Sequence, residues 1–433
     1  MSVRIRLAAL TLLGSICALG VPAIAADGTI QQQGTLPHGG SYILYRDPTV
    51  ASAAVDLWFR APGAGYDNAK PGLARVAAIA AAAARLESGK SLAETIRTAG
   101  GTLAVNVYPD IVGVSVLVPA TAARRVIASM TAAYFAPAID DASVKTAVRD
   151  TAVLSVQQHY SAVQSLHNAL FAQIFSGGPA HIAPIPGTLT QVAGITEADV
   201  KAFAKRAFVS SNATLTVVGD VAPSSIEAVT AGSPGPSSEP IDSPLAKPLP
   251  APTSLPGSVG GIGLAWVGPP IRDEKAATAM DFISDYLFRY RTGILAKAID
   301  ASGDTYVTGQ FITLHDPGVM LITVGGANAQ IAKTQVIDAL AKLEQPLDDA
   351  TFAAARNAFL YHLAADTQTP TGQSDNLGWY AAEGNAAYAP GDTSGAYRAQ
   401  ARSLDPAYVA SIVKQFLTHP VIVQLVPNAK ESS

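Results

Sequence analysis

The sequence predicts an α+β protein of two homologous domains, each a mostly antiparallel sheet with helices packed on one face, the pair arranged as a clamshell. Three observations predict it. Strand-like runs come in close pairs beside helical runs, which favours helices laid on an antiparallel sheet over a parallel stack of alternating strands and helices. The order of elements in residues 26–231 recurs in residues 257–433. That period of ~200 residues is too long for a solenoid repeat and fits two copies of one domain. Between the copies, residues 232–256 hold Pro234, Pro236, Pro240, Pro244, Pro248, Pro250, Pro252 and Pro256 among Ser and Gly. Such a stretch neither buries a face nor sustains a ladder, so an extended interdomain linker is expected there.

In the first copy, Thr35 to Tyr45 and Ala53 to Arg60 read as strands, the second one apolar with polar punctuation. Ala61-Pro62-Gly63-Ala64-Gly65 is a turn. An Ala-rich helix follows from about Gly72 to Leu86, supported by propensity alone. Ser91 with Glu94 forms a capping box for the next helix. Strands over Thr102–Tyr108 and Ile111–Val118 flank a Pro109-Asp110 turn. A helix spans Ala120 to Phe135, and Asp140 or Asp141 starts a long one reaching towards Phe175. Gly177 to His181 is a loop, Thr196 caps a helix with Asp199 in its first turn, and Leu215 to Val218 is a strand.

The second copy begins with a strand over Gly261–Val267 and a helix over Lys275–Phe288. A short helix spans Ile294 to Ala301, and paired strands occupy Thr305–Thr313 and Val319–Val324. Helices follow from Gln330 to Leu343, from Pro346 onward and from Leu404-Asp405-Pro406, before a last strand over Val421–Val426. Pro137-Ala138-Ile139-Asp140-Asp141-Ala142 matches Pro346-Leu347-Asp348-Asp349-Ala350, and Ile195–Val221 matches Leu404–Val426.

Composition narrows the function classes. The 433 residues are 49% hydrophobic and 14% charged, a globular balance with room for a full core. A net charge of −4 with scattered Lys and Arg advertises neither a nucleic-acid face nor an electrostatic membrane anchor. Arg4 and Arg6 precede an apolar run from Leu7 to Val21, and Ala23-Ile24-Ala25 supplies the small residues of a cleavage site. Residues 1–25 are therefore expected as a signal peptide and excluded from the fold, with a periplasmic or secreted destination and no membrane span once the signal is removed. The one cysteine, Cys17, lies inside that segment, where Ile16 is too bulky for a lipoprotein signal. No disulfide and no cysteine ligand is expected in the mature chain.

Ordered motifs then point to a family. Gly72-Leu73-Ala74, Gly100-Gly101-Thr102-Leu103-Ala104, Gly178-Pro179 with Pro184-Ile185-Pro186-Gly187, Thr196-Glu197-Ala198-Asp199-Val200 and Asn212–Val221 occur in this sequence in this order. The chain resembles the pitrilysin/insulinase family of zinc peptidases, which includes the mitochondrial processing peptidases. The likeness extends over nearly the whole mature chain. In that family Gly-Leu-Ala opens a helix carrying H-x-x-E-H, in which two His bind zinc and the Glu activates the metal-bound water. By this resemblance the first His becomes Arg75, the Glu becomes Ala78 and the second His becomes Ile79. The third ligand, a Glu on the long helix, falls near Ser155 or Val156. None of these side chains ligates zinc, and a fixed cation at Arg75 repels a dication.

No substitute chemistry is legible. The histidines are His38, His159, His167, His181, His315, His362 and His419. None pairs with another at i,i+4, and His159 and His167 stand about two helical turns apart. There is no G-x-S-x-G elbow, no phosphate loop and no dinucleotide fingerprint. No metal and no other cofactor is expected. The family also implies an Arg and a Tyr that hold substrate from the second domain. In the corresponding run, Thr292 to Tyr306, the Arg becomes Ile299 and the Glu becomes Asp300, while Gly303 and Tyr306 keep their places. Tyr306 is the candidate substrate-binding residue, set against a plain packing role for a strand aromatic.

The resemblance implies a non-catalytic subunit that closes the peptide chamber of a zinc-bearing homologous partner, handles unfolded peptides and has no enzymatic activity of its own. The alternative is a stand-alone peptide- or ligand-binding protein with no peptidase partner.

Overall fold

The computed structural model describes residues 30–61, 70–175, 186–235, 252–257, 260–300, 303–384, 388–391 and 395–427. The signal segment, His181, Gly178 to Ile185 and residues 236–251 of the Pro-rich stretch lie outside them.

The first half opens with strands β1 (Ile30–Thr35) and β2 (Ser41–Arg46). One strand is expected over Thr35–Tyr45, but the chain reverses there because His38, Gly39 and Gly40 all take positive φ, at 64°, 98° and 76°. Next come β3 (Ser52–Arg60), helix α1 (Leu73–Ala83) and helix α2 (Leu92–Thr98). The Ser91–Glu94 capping box is present at the start of α2. Strands β4 (Thr102–Val107) and β5 (Ile111–Pro119) follow, then α3 (Ala123–Phe135), α4 (Asp141–His159) and α5 (Ala162–Phe175). The long helix expected over 141–175 is thus two helices. Ser161 breaks it by accepting from the Gln164 amide, a side-chain alternative to continuing the ladder. Short α6 (Leu189–Ala193), α7 (Glu197–Ala207) with its Thr196–Asp199 capping box, and β6 (Ala213–Gly219) complete the half.

The second half holds β7 (Thr253–Gly257), β8 (Gly261–Gly268), α8 (Glu274–Phe288), α9 (Ile294–Asp300), β9 (Thr305–Ile312) and β10 (Gly318–Gly326). It continues with α10 (Ala329–Leu343), α11 (Asp349–Asp366), α12 (Pro370–Glu383), α13 (Ala396–Ser403), α14 (Pro406–Phe416) and β11 (Val421–Pro427). Thr369 caps α12 and Pro370 occupies its first turn, which ends α11 just before. Strand β7 corrects the expectation that the whole of 232–256 is linker. Its last residues pair in parallel with β11, and Pro256 is tolerated because β7 is the sheet's edge.

The first sheet runs β1-β2-β6-β3-β5-β4 and the second β7-β11-β8-β10-β9. With β1 set aside, the second order repeats the first in chain sequence. In both, a single parallel pair (β2 with β6, β7 with β11) sits in an otherwise antiparallel sheet. One face of each sheet carries its own half's helices. Val55, Leu57 and Phe59 of β3 pack under α1 and α3, and Met320, Ile322 and Val324 of β10 pack under α8 and α10.

The opposite face of each sheet is covered by a helix from the other half. Helix α5 lays Leu166, Leu170, Phe171 and Ile174 on Ala265, Leu321 and Val423 of the second sheet. Full burial of each large apolar side chain contributes about 1.5–3 kcal/mol, so this crossing joins the halves firmly. Helix α12 lies on β3 and β6. It can do so because residue 378 is glycine: a Cβ there would stand 2.1 Å from Trp58 Nε1 and 2.7 Å from Thr216 Oγ1. At the end of α12, Arg60 Nε donates to the Ala382 carbonyl at 2.6 Å and Trp379 Nε1 donates to Thr313 O at 2.7 Å. The rings of Trp58 and Tyr108 meet Trp379 edge-on at 5.9 and 4.6 Å. Beside them, Asp110 and Glu383 are both buried, while His315 donates its amide to Asp110 and its Nδ1–H to Glu383 O.

Candidate functional site

Helix α1 starts at a tight crossing of two loops. Gly72 takes φ 88°, and a Cβ on it would lie 2.3 Å from Pro186 O. Gly187 takes φ 79°, and its Cβ would lie 2.6 Å from Pro71 O. Each position therefore demands glycine twice over, for conformation and for space. Two of the sequence motifs, more than a hundred residues apart, meet at this point. Ser155 of α4 ties to the same crossing, its hydroxyl donating to Gly187 O at 2.6 Å.

Arg75, Ala78 and Ile79 share a face of α1 by their i, i+3, i+4 spacing. Their surroundings differ. Ala78 is wholly buried, and the hydroxyl of Tyr134 donates to its carbonyl at 2.9 Å. Ile79 packs, partly buried, against the core of the first sheet. Arg75 alone of the three lines a cavity. Its Nη1 donates to Val105 O at 2.6 Å, and its buried Nε has no partner among the described residues. Burial holds its pKa below the ordinary arginine value, opposed by the charge of Asp150.

The cavity, about 580 Å³, is walled by β4, the C-terminal part of α4, α5, Pro186, and Gln310 and Ile312 of β9. Its polar side chains are chiefly amides, Asn106, Gln158, Gln164, Asn168 and Gln310, set among apolar ones such as Leu103, Leu154 and Phe171. His167 lines it too, and burial lowers its pKa to about 4, so the ring is neutral at pH 7. A second cavity of about 480 Å³ lies across Gln158 and Asn168, which bond to each other at 2.8 Å and line both spaces. Ser155, Val156, Leu189, Leu255 and Leu425 make it the more apolar of the two.

Tyr306 sits on β9 on the same side of the sheet as Gln310 and Ile312, by the two-residue alternation of a strand. Its ring covers Gly325, its partner on β10, and burial raises its pKa, keeping the hydroxyl protonated. It does not line either cavity wall. The structure brings Arg75 and Ser155 near one loop crossing and leaves Tyr306 farther along β9. The contributions of the Val105 carbonyl, Gln158 and Asn168 escape sequence reasoning, because isolated amides on amphipathic helices carry no pattern.

A zinc ion does not fit these residues. Arg75 presents a cation, Ala78 and Ile79 are packed and apolar, and Ser155 spends its hydroxyl on a backbone carbonyl. Among the described residues no three or more His, Cys, Asp or Glu stand close enough to hold a metal. His362 pairs with Asp285, His315 with Glu383 O and His419 with Thr418.

Comparison with known proteins agrees with this geometry. Residues 194–359 match the family model of the Peptidase M16 inactive domain. That stretch is similar to the M16 inactive domain. The M16 fold also extends over nearly the whole molecule. A protease from Helicobacter pylori superposes with a TM-score of 0.78 at 16% identity, over 92% of this chain and 99% of that one. A peptidase M16 inactive domain from Pseudomonas fluorescens gives 0.72 at 19%, over 92% and 98%. A chain of complex III2 from Candida albicans, solved with Inz-5 bound, gives 0.73 at 11%, over 91% and 95%. No curated protein matches at the sequence level. The resemblance read from the Gly72, Gly100 and Gly187 motifs therefore holds as an M16 resemblance, with the H-x-x-E-H positions of α1 filled by Arg75, Ala78 and Ile79.

Proposed function

We propose that this M16-like chain is the non-catalytic subunit of an exported insulinase-type metallopeptidase, closing the peptide chamber of a zinc-bearing homologous partner. One observation carries the reading: α1 keeps its place beside a cavity of about 580 Å³, while its chemistry-bearing positions are Arg75, a sealed Ala78 and a packed Ile79. The wall of that cavity supports a role in holding peptide. Strand β4 is the open edge of the first sheet, and its residues from Leu103 to Val107 line the space in succession. An exposed edge offers unpaired amides and carbonyls to an extended chain. Tyr306 is proposed to reach such a peptide as a hydrogen-bond donor from the facing sheet. Export rests on the Arg4, Arg6 and Ala23-Ile24-Ala25 pattern. No helix among the described residues is long and apolar enough to cross a membrane. The assignment of a partner draws support from the Candida albicans neighbour, which is part of a multi-chain complex.

The test uses the mature chain with zinc and an unstructured peptide, followed by recovery of the chain from its native compartment. No cleavage by the chain alone, and co-purification of an M16 chain with an intact H-x-x-E-H, are the expected results. Zinc-dependent cleavage by the isolated chain rejects the proposal. The second reading, a stand-alone peptide- or ligand-binding protein without a peptidase partner, draws support from the second, more apolar cavity of about 480 Å³. Recovery of the chain alone with peptide bound selects it.

A further inference from the structure

Among the described residues Arg75 is a charge without a counterion, at the wall of a cavity with polar amides. The residues lining that cavity include no Asp, Glu or Lys, and His167 is neutral there. Asp150, whose charge reaches Arg75, is a half-exposed side chain on α4 and makes no ion pair with it within 4.0 Å. A guanidinium has five donors. One Nη1 donor is satisfied by Val105 O, and the Nε donor is buried and unpaired among the described residues. Buried arginine is ordinarily matched by an acceptor, and a carboxylate matches it best because two parallel bonds form at once.

The edge of β4 says what sort of carboxylate. Tyr108 N–H bonds to Ile111 O, so Tyr108 points its backbone towards β5. By alternation Asn106 and Ala104 do the same, and Leu103, Val105 and Val107 point their backbone groups outwards. An added strand can pair at Val107, but one step on it finds the Val105 carbonyl already held by Arg75. A continuing chain loses that ladder bond. A chain that ends there places its terminal carboxylate against the guanidinium instead.

We propose that Arg75 makes this cavity a carboxylate site, and that it takes the free C-terminus of an extended peptide lying along the Val107 end of β4. Asn106 and Asn168 line the same cavity as Arg75. The inference rests on the peptide-holding reading above and adds to it the end of the peptide that is held and the residue that holds it.

The experiment measures binding of fluorescent peptides of one sequence to the full mature chain. One peptide carries a free C-terminus, one a C-terminal amide, and one an amide with an internal Asp; an N-acetyl amino acid serves as a small carboxylate competitor. The free acid is expected to bind at least tenfold more tightly than the amide. Arg75→Ala removes that difference, and Arg75→Lys restores only part of it, since an ammonium lacks the planar fork. Equal binding of acid and amide overturns the carboxylate site while leaving peptide holding intact. An internal-Asp amide that matches the free acid overturns the assignment to a C-terminus. Arg75-dependent binding of the N-acetyl amino acid without any peptide binding supports the site and removes the peptide-holding reading. Should Arg75→Ala fail to fold, the acid-to-amide ratio in the wild-type chain and in Arg75→Lys still decides.

Discussion

Ala78 shows how thoroughly the chemistry has left α1. The residue is more than an absent base, because the space a base needs is gone. Its side chain has no solvent exposure, and Tyr134 closes over it with a hydroxyl bonded to the Ala78 carbonyl. Ala78→Glu would bury a carboxylate with no donor aimed at it, which is expected to cost on the order of 3 kcal/mol. A thermal melt should show that loss. Arg75→His, one turn earlier, faces a cavity and should leave the midpoint within a few degrees. Equal, small effects of the two would show that the interior is looser than this packing. Tyr134→Phe offers a milder probe of the same contact, with an expected loss of about 1 kcal/mol. The buried phenol, whose pKa burial raises, is held neutral, so this loss should not change between pH 6 and pH 9.

At the level of elements, the two crossing helices decide the architecture, and Gly378 gives a test whose sign separates two causes. Within an isolated helix, glycine to alanine stabilises by about 0.5–1 kcal/mol. On α12, an added methyl meets Trp58 Nε1 and Thr216 Oγ1, so Gly378→Ala is expected to destabilise by about 1–3 kcal/mol. Chemical denaturation measures the sign, and the emission of Trp58 and Trp379 should change with it, since their rings touch. A stabilised variant would mean that α12 does not rest on the first sheet. The sequence made the elements themselves legible. Short apolar runs marked β3, β5, β8 and β10, caps marked α2 and α7, and repetition of the order marked the two sheets. It did not mark the break at Ser161, because one serine between helical runs is a weak signal against good propensity on both sides. Nor did it show that α5 and α12 exchange partners. Amphipathicity says that a helix has an apolar face but not which sheet receives it. The candidate site was legible at Arg75, Ala78 and Ile79 through the Gly-Leu-Ala motif. Its cavity was not, since that arises from β4, α4, α5 and β9 meeting across the two halves.

For the whole molecule, the joints between the halves carry buried acids, and these set the direction of its pH response. Burial raises Asp56 to about 7, beneath α12 beside Ser374 and Asp375. It raises Asp110 to about 6, against the opposing bonds from the His315 amide and Glu383, and lifts Glu383 well above its ordinary value, where the charge of Asp110 adds to the effect of burial. In the second half it raises Asp281 to about 7, against the opposing hydrogen bond from Tyr397. For each, the folded chain binds a proton that the unfolded chain releases near pH 4. Stability therefore falls as pH rises from about 4 to about 7 and levels off above the folded values. His167 acts in the opposite sense, because its folded value near 4 lies below its unfolded one, and stability from its neutral form is lost as pH falls through that window. Asp199, lowered to about 2 by its bonds to Thr196, acts only below the window. Several acids oppose one histidine, so the melting midpoint should be higher at pH 5 than at pH 8. Asp56→Asn removes one titrating group from the β3–α12 contact without removing its hydrogen-bonding shape. The variant should melt closer to the wild type at pH 5 and above it at pH 8, flattening the profile. A midpoint that climbs from pH 5 to pH 8, unchanged in slope by Asp56→Asn, would place the controlling ionisations elsewhere than at the contacts between the two halves.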